Sequence, residues 1–343
     1  MPEYLAPGSY VQELSWGPTI EPAETSVTAL VGPASAGPWV EPVRIHSLEQ
    51  ARDVFGRGSW LAQALEDYFA NGGQVGLGVR TGAQRDDALA ALATADPFQL
   101  LVCDARAVDL PAAYAVAVRR RAFLLVDAAD GELPEGLGGN AAAYYPRLRD
   151  ERGGLRDSAP AVAGVHARTD ASRGVWKAAA ASGAVVHGAT GLEVSLSDLE
   201  AGTLTQAKVN ALREHMGDVV VWGARTASDD PEWRYVPVRR MALFLEESLA
   251  RGLEWAVFEP NDERLWARLR SAIQGFLDGL WRQGAFQGTR PAEAYAVHCG
   301  RDIMSQADLD EGRVVVLVGF APISPAEFVV LQVVLRTGSA PSS

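Results

Sequence analysis

The sequence has few of the residues that indicate a disulfide-stabilised or membrane-embedded protein. Only two of its 343 residues are cysteines. Cys103 and Cys299 lie far apart in apolar, strand-like segments, so we expect no disulfide framework and a reducing compartment. No segment approaches the roughly 18 uninterrupted apolar residues of a transmembrane helix, and the first residues lack the basic and apolar regions of a signal peptide. These absences predict a protein that does not insert directly into a membrane.

Positive charge is also scarce in this sequence. Lysine and arginine number 31 against 43 aspartates and glutamates, which gives a net charge of −12. Such a surface repels phosphate backbones, so nucleic acid is not an expected partner. Hydrophobic residues make up 48% and charged residues 22% of the chain, close to the averages of folded proteins. This length and composition predict one large or two ordinary globular domains.

No group of residues with the spacing of a catalytic, metal or cofactor site stands out. Gly76-Leu77-Gly78 lacks the third glycine of a dinucleotide-binding loop, and neither a phosphate-binding loop nor a nucleophile elbow occurs. The five histidines are scattered along the chain. His298 and Cys299 are neighbours that would point to opposite faces of a strand, one exposed and one buried. The sequence therefore predicts no cofactor, no metal site and no enzymatic site.

The first forty residues predict an extended arm. They contain too many prolines and glycines for a helix and too many apolar residues for a solvated tail. Residues 26–32 form a run typical of a buried strand. Alternation typical of a further strand occurs at Tyr10, Val11, Gln12, Glu13 and Leu14.

After the arm, the apolar pattern alternates between the strand and helix periods. Helices are predicted after Ser47 to about residue 56 and at 60–69, 86–95 and 112–121, with strands at 75–79, 100–103 and 122–126. Alternating units of this length predict an α/β domain around a largely parallel sheet. Residues 130–173 are richer in Gly, Pro and Arg and are predicted to loop over the surface.

A second α/β unit is predicted in the C-terminal part of the chain. Its helices begin at Pro237, with Gly252 as the stop signal, and at Asn261, which is expected to be the N-cap. The second helix carries a broad apolar stripe that includes Trp266 and is expected to face the core. The predicted strands are 219–222, 255–258, 294–299, 314–320 and 328–335.

The last predicted strand is apolar on both faces. Residues 327–335 would span roughly 30 Å at ~3.3 Å per residue. Its central residues are Phe328, Val329, Val330, Leu331, Gln332, Val333 and Val334. Such a strand would be an aggregation hazard as a solitary edge, so it must pair with something. The partner is either a neighbouring subunit or the strand's own chain.

Several ordered segments of the chain resemble the contractile tail sheath family of phages, R-type bacteriocins and extracellular contractile injection systems. The resemblance covers residues 160–335 closely and the first forty loosely. The segments are YLAPGSYVQE at 4–13, GVHARTD at 164–170, GVWKA at 174–178, VWGART at 221–226, WRYVPVRR at 233–240, WAVFEPND at 255–262, QADLDEGR at 306–313 and APISPAEF at 321–328.

The resemblance implies an α/β fold of mixed sheets flanked by helices, with N- and C-terminal strand arms that extend the sheets of neighbouring subunits. It divides the chain into an extended arm and first strand (1–40), an α/β sheath domain with surface loops (41–215), an α/β assembly domain (216–326) and a strand arm with a polar tail (327–343). The rival interpretations are a soluble α/β hydrolase and a baseplate or cap component.

The resemblance also implies a function and a set of partners. Copies would polymerise helically around an inner tube and contract to drive it through a target envelope. The subunit would be assembled in the bacterial cytoplasm as part of a phage tail or a released phage-tail-like particle. Expected partners are other copies, the inner tube protein, and baseplate and terminal cap proteins. Candidate tube contacts on the helix after Asn261 are Arg264, Arg268 and Arg270, with Arg282 near its end; the alternative is a solvated helix face.

Overall fold

The computed structural model describes residues 19–84, 86–323 and 329–336, the last of these by backbone only. The strands are β1 (Thr28–Gly32), β2 (Pro42–Ile45), β3 (Gly76–Arg80), β4 (Leu100–Cys103), β5 (Phe123–Asp127), β6 (Ala141–Tyr145), β7 (Leu148–Arg149), β8 (Leu155–Arg156), β9 (Gly191–Leu192), β10 (Val209–His215), β11 (Asp218–Val221), β12 (Tyr295–His298), β13 (Arg313–Phe320) and β14 (Val329–Arg336).

Helices alternate with these strands along the chain. They are α1 (Leu48–Phe55), α2 (Trp60–Ala70), α3 (Asp87–Ala91), α4 (Leu110–Arg119), α5 (Ala159–Arg173), α6 (Asp198–Gln206), α7 (Val236–Gly252), α8 (Glu263–Arg282), α9 (Pro291–Ala294) and α10 (Gln306–Asp310). Ser47 caps α1 as predicted, because its side chain accepts a hydrogen bond from a first-turn N–H group. Ser59 caps α2 in the same way.

The larger sheet has eight strands in the order β11-β10-β6-β5-β4-β1-β3-β2. Its six inner strands are parallel, whereas β2 and β11 pair antiparallel at the two edges. Every residue of β1 and β4 is buried, as expected for parallel strands covered on both faces. The predicted α/β class with a mixed sheet flanked by helices is confirmed.

Helix α5 shows that one prediction was wrong. Residues 130–173 do not simply loop over the surface, because they contain β6, β7, β8 and a helix that is buried over most of its length. A Cβ on Gly164 would lie 2.4 Å from the backbone oxygen of Tyr68, so glycine lets α2 and α5 approach closely. Burial on several sides removes the polar face that would have marked this helix in the sequence.

The smaller C-terminal sheet has the order β12-β13-β14. Helices α7 and α8 lie against it and against each other in one hydrophobic cluster. Trp266 on α8 is 4% exposed and Ile273 is fully buried, which confirms that the apolar stripe faces the core. Of the neighbouring residues His298 and Cys299, the first is exposed and the second buried, as predicted.

The segment before α8 differs from the prediction in two ways. Residues 255–258 do not form a strand, because Glu254–Ala256 is a 3₁₀ turn and Phe258 has a φ of 75°. Asp262 is the N-cap of α8, and its carboxylate accepts bonds from two first-turn N–H groups. Asn261 instead accepts a hydrogen bond from the Trp266 indole N–H at 2.8 Å.

A buried ion pair connects α5 with α7. The Arg240 guanidinium donates to both carboxylate oxygens of Asp170 at 2.6 and 2.9 Å, and both side chains are at most 3% exposed. Arg240 also lies 3.1 Å from His166 Nδ1 and donates to the backbone oxygen of Thr25 at 2.8 Å. The Tyr144 hydroxyl lies 3.3 Å from His166 Nε2. Burial and the nearby Arg240 charge hold the pKa of His166 well below its usual value, so the imidazole is neutral at pH 7.

Two buried carboxyl groups, those of Asp67 and Asp127, have pKa values raised to about 7. Burial raises the pKa of Asp67 to about 7, against the opposing attraction of Arg156, whose Nη1 lies 3.0 Å from the Asp67 carboxylate. Burial and the nearby Asp157 charge likewise raise the pKa of Asp127 to about 7. The Asp127 carboxylate accepts hydrogen bonds from Ser158 at the beginning of α5.

Replacement of Asp67 by Asn is expected to change how stability depends on pH. A carboxyl whose pKa is raised on folding stabilises the fold while protonated, and that contribution disappears as pH rises through about 7. The free energy of unfolding of Asp67→Asn minus that of the parent protein should therefore increase from pH 5 to pH 8, as measured by urea denaturation. The exposed Asp229→Asn provides the control, and a pH-independent difference for Asp67→Asn would contradict the assignment.

Candidate assembly surfaces

The small sheet presents two edges that could accept or donate a strand. Its middle strand, β13, pairs antiparallel with β12 on one side and with β14 of the same chain on the other. The β14 pairing runs in register from Arg313 opposite Arg336 to Phe320 opposite Val329. In the described part of the chain, β12 and β14 therefore form the outer edges, where backbone N–H and C=O groups remain available for pairing.

The predicted strand-arm residues lie partly in this sheet. Val329, Val330, Leu331, Gln332, Val333 and Val334 form most of β14. Phe328 lies outside the described residues, as do Tyr10, Val11, Gln12, Glu13 and Leu14. The C-terminal strand was thus located correctly, and its pairing with another subunit stays a prediction.

The outer face of α8 carries three of the four predicted tube-contact arginines. Arg264, Arg268 and Arg282 are exposed and lie on one side of the helix, opposite the buried stripe. Arg268 pairs with Glu259 at 3.1 Å, and its guanidinium lies 4.4 Å from the centre of the Trp255 ring. Arg282 pairs with Asp278 at 2.8 Å. These solvent-exposed pairs are weak enough to exchange for a partner's carboxylates.

Arg270 has a different environment from the other three arginines. It lies on the flank of α8 and is half-buried. Its guanidinium donates a hydrogen bond to the backbone oxygen of Cys299, beside the end of β12. The Arg270 guanidinium is therefore partly bound within its own subunit and is less available for a contact with another protein.

Two glycines, Gly275 and Gly279, lie on the outer face of α8. A Cβ at Gly275 or Gly279 would meet no described atom within 4 Å, so packing within the chain does not require glycine at either position. Glycine inside a helix costs roughly 0.5–1 kcal/mol relative to alanine. The missing side chains at these two positions allow another backbone to approach the helix closely, and the sequence analysis did not identify them.

The structure was also searched for metal-binding clusters, membrane-spanning helices and disulfides. Within the described residues, no three His, Cys, Asp or Glu side chains are grouped so that they could hold a metal ion. Among the helices of that same part of the chain, none is long and apolar enough to cross a membrane. Cys103 and Cys299 are free and buried.

The comparisons with known proteins agree with this architecture. A family model described as the phage tail sheath C-terminal domain matches residues 228–336. A protein described as a prophage major tail sheath protein, from Pseudomonas aeruginosa strain UCBPP-PA14, is 29% identical over 173 residues. That alignment covers 48% of this chain and 42% of the relative, so the chain matches less than half the length of this curated relative.

Two solved structures are similar over almost the whole chain. The helical sheath of the anti-feeding prophage in its contracted state is 30% identical, with a TM-score of 0.80, and the match covers 96% of this chain and 99% of that one. The sheath complex of an extracellular contractile injection system named PVC, also contracted, is 29% identical with a TM-score of 0.79, covering 97% and 98%.

Proposed function

Because this chain belongs to the contractile tail sheath family, we propose that it is a structural subunit that polymerises helically around an inner tube. Contraction of the resulting cylinder would drive the tube through a target envelope. The observation that carries this proposal is the whole-chain similarity to a helical sheath solved in its contracted state. The family is structural and non-enzymatic.

Self-assembly would use the edges of the small sheet. A strand donated by a neighbouring copy can pair with an open edge through backbone hydrogen bonds, and such contacts repeat without closing when donor and acceptor surfaces differ. We place the donors at residues 10–14 and 329–334 and an acceptor at the free edge of β12. Strand links of this kind would keep subunits connected while their domains rotate during contraction.

The inner tube would contact the outer face of α8. The sheath must grip the tube before firing and release it during contraction, so the contact must be reversible. Exposed charge pairs suit this requirement because each is worth only about 0–1 kcal/mol and many subunits add their contributions. Arg264, Arg268 and Arg282 supply positive charge on this face, and Gly275 and Gly279 leave room for close approach. Arg270 would contribute less because it is bound to Cys299.

Reversing the charge of Arg264 and Arg268 tests the tube contact. The double variant Arg264→Glu/Arg268→Glu is expected to form sheath on its own but to co-assemble poorly around the tube, because repulsion replaces attraction. Added salt should mimic this defect in the parent protein. Electron microscopy of sheath co-expressed with the tube protein provides the measurement. The control variant is Arg57→Glu/Arg152→Glu, which reverses two exposed arginines elsewhere on the chain. Sheath built from this variant should contain the tube as often as sheath of the parent protein. Normal tube-filled particles from the α8 variant would exclude these residues as the grip.

The second candidate function is that of a baseplate or cap component of the same machine. A chain in the six-fold anti-feeding prophage baseplate is also similar to this protein, with 29% identity and a TM-score of 0.80. The copy number of this chain relative to the tube protein in purified particles distinguishes a principal sheath subunit from a minor one. Near-equal numbers would support the principal role.

A further inference from the structure

A buried polar cluster of Arg240, Asp170, His166 and Tyr144 lies where α7 meets the larger sheet. Helix α7 contributes side chains to the hydrophobic clusters of both sheets, so it connects the two. The Arg240 guanidinium binds Asp170 on α5 and the backbone oxygen of Thr25, in the segment that leads into β1. These hydrogen bonds therefore hold α7 against α5 and against the segment before β1.

Packing around this cluster is incomplete. A cavity of about 190 Å³ adjoins Arg240, and a groove of about 450 Å³ adjoins Asp170. Thr25, Val175 and Phe244 line both of these spaces. Protein interiors are normally close-packed and have few such voids. Because apolar contact is interrupted here, the junction depends more on its hydrogen bonds.

The cluster holds His166 in one neutral form. Its Nδ1 lies 3.1 Å from Arg240 Nη1, and its Nε2 lies 3.3 Å from the Tyr144 hydroxyl oxygen. A guanidinium can only donate hydrogen bonds, so Nδ1 is the acceptor in this contact and carries no proton. The proton of the neutral ring is therefore on Nε2, which donates a hydrogen bond to the Tyr144 oxygen.

Protonation of His166 would break this arrangement. A proton on Nδ1 would point at the Arg240 guanidinium, so two donors and two positive charges would face each other across 3.1 Å. His166 is 3% exposed, so water does not reach the ring to screen this repulsion. The Asp170 carboxylate already accepts two hydrogen bonds from Arg240. Relief of the repulsion requires Arg240 and His166 to separate.

The other titratable groups at this site have a different effect. Burial raises the pKa of Tyr144 and that of Tyr68, which lies near Asp170 on α2, so both hydroxyls are neutral at and below pH 7. Burial also raises the pKa of Asp170, against the opposing Arg240 charge. A raised carboxyl pKa favours the folded state at low pH, which is opposite in sign to the effect of His166. Charged residues of both signs line the cavity beside Arg240, namely Glu24, Glu247 and Arg119 to Arg121.

We propose that His166 is an acid-sensitive lock on the junction of α5, α7 and the segment before β1, closed while the imidazole is neutral and opened by its protonation. Opening would loosen α7, and with it the smaller sheet, from the larger sheet. The lock is a property of the single subunit and goes beyond the proposed sheath function. Both tests below use the monomer, so a chain that forms no cylinders would count against the sheath function and not against the lock.

Urea denaturation of the parent protein and of His166→Asn tests the lock. The Asn side-chain oxygen can replace Nδ1 as the acceptor but does not titrate. Histidine has a pKa of about 6.5 in an unfolded chain, so unfolding of the parent protein takes up a proton below that pH. The unfolding constant of the parent, divided by that of His166→Asn, should rise about tenfold from pH 7.5 to pH 5.5. Asp170 is common to both proteins, so its own titration cancels in this ratio.

The control is His298→Asn, which removes an exposed imidazole. The unfolding constant of the parent divided by that of this variant should be the same at both pH values. A ratio for His166→Asn that does not change with pH, or that falls as the solution becomes acidic, would overturn the lock.

Hydrogen exchange of the parent protein tests the lock independently of whether His166→Asn folds. Exchange is measured by mass spectrometry at pH 7.5 and pH 5.5 and corrected for the intrinsic exchange rates. Protection should fall at the lower pH in residues 20–27, 159–173 and 236–246, which meet at the cluster. Unchanged protection, an equal change throughout the chain, or a loss confined to other segments would overturn the proposal.

Discussion

Deletion of residues 1–15 is expected to leave a folded monomer and to abolish long cylinders. An arm that donates its strand to a neighbouring copy makes its pairing contacts outside its own subunit, so its removal should spare the subunit's core. The alternating pattern at Tyr10 to Leu14 is that of a strand. If this strand pairs with a neighbouring copy, its removal interrupts the chain of intersubunit links. Thermal unfolding measures the first outcome, and electron microscopy the second.

Two further truncations sharpen this test. Removal of residues 337–343, a short polar tail, should leave assembly intact and serves as the control. Removal of residues 328–343 takes away β14, which pairs with β13 over its whole length. A folded monomer without cylinders after that deletion would support donation of β14 to another subunit. An unfolded monomer would instead assign the strand to its own chain, and ordered cylinders of normal length from either arm deletion would contradict the strand-arm proposal.

Replacement of Asp170 by Asn is expected to lower the free energy of unfolding by about 3–5 kcal/mol, because it leaves the buried Arg240 charge without its counter-ion. Arg240 cannot reach water as a substitute, since its side chain is 3% exposed. The same substitution weakens the connection among α5, α7 and the backbone at Thr25. Chemical denaturation of the monomer measures the loss.

The control for the ion pair is an exposed pair of the same type. Asp198→Asn removes the partner of Arg213, but Asp198 is 90% exposed, so a loss of at most about 1 kcal/mol is expected. The double variant Asp170→Leu/Arg240→Met should recover much of the stability lost in Asp170→Asn, because no buried charge remains unpaired. A loss for Asp170→Asn no larger than that for Asp198→Asn would show that the pair does not stabilise the fold.

The alternating part of the fold was predictable from local patterns. Strands such as β4 and β5 are short apolar runs between breakers, and their burial on both faces in a parallel sheet preserves that signal. Helix α7 begins beside a proline and ends at Gly252 as the sequence indicated. Each of these elements is determined by a local sequence pattern, so the sequence alone predicts its type and position.

Elements whose form depends on distant contacts were not predictable in this way. The sequence of α5 lacks the apolar periodicity of a surface helix, because the helix is covered by α2 on one side and by the larger sheet on another. Asp170 and Arg240 are 70 residues apart, and only the fold brings these two family segments together. Phe258 was assigned to a strand because its neighbours are apolar, whereas its backbone is left-handed.

The candidate surfaces were predictable only in part. The sequence located the apolar C-terminal strand and the arginines of α8, since both follow from residue type and period. It could not separate Arg270 from Arg264, because only the position of Cys299 decides which guanidinium is held by its own chain. The sequence also did not identify Gly275 and Gly279 as surface positions, because only the surrounding structure shows that no other part of the described chain packs against them.

Electron microscopy of the purified chain, alone and co-expressed with the inner tube protein of its own gene cluster, tests the central claim most directly. The account predicts helical cylinders built from copies of this chain, filled by the tube when it is present. Discrete globular particles at every concentration, with or without the tube protein, would contradict it.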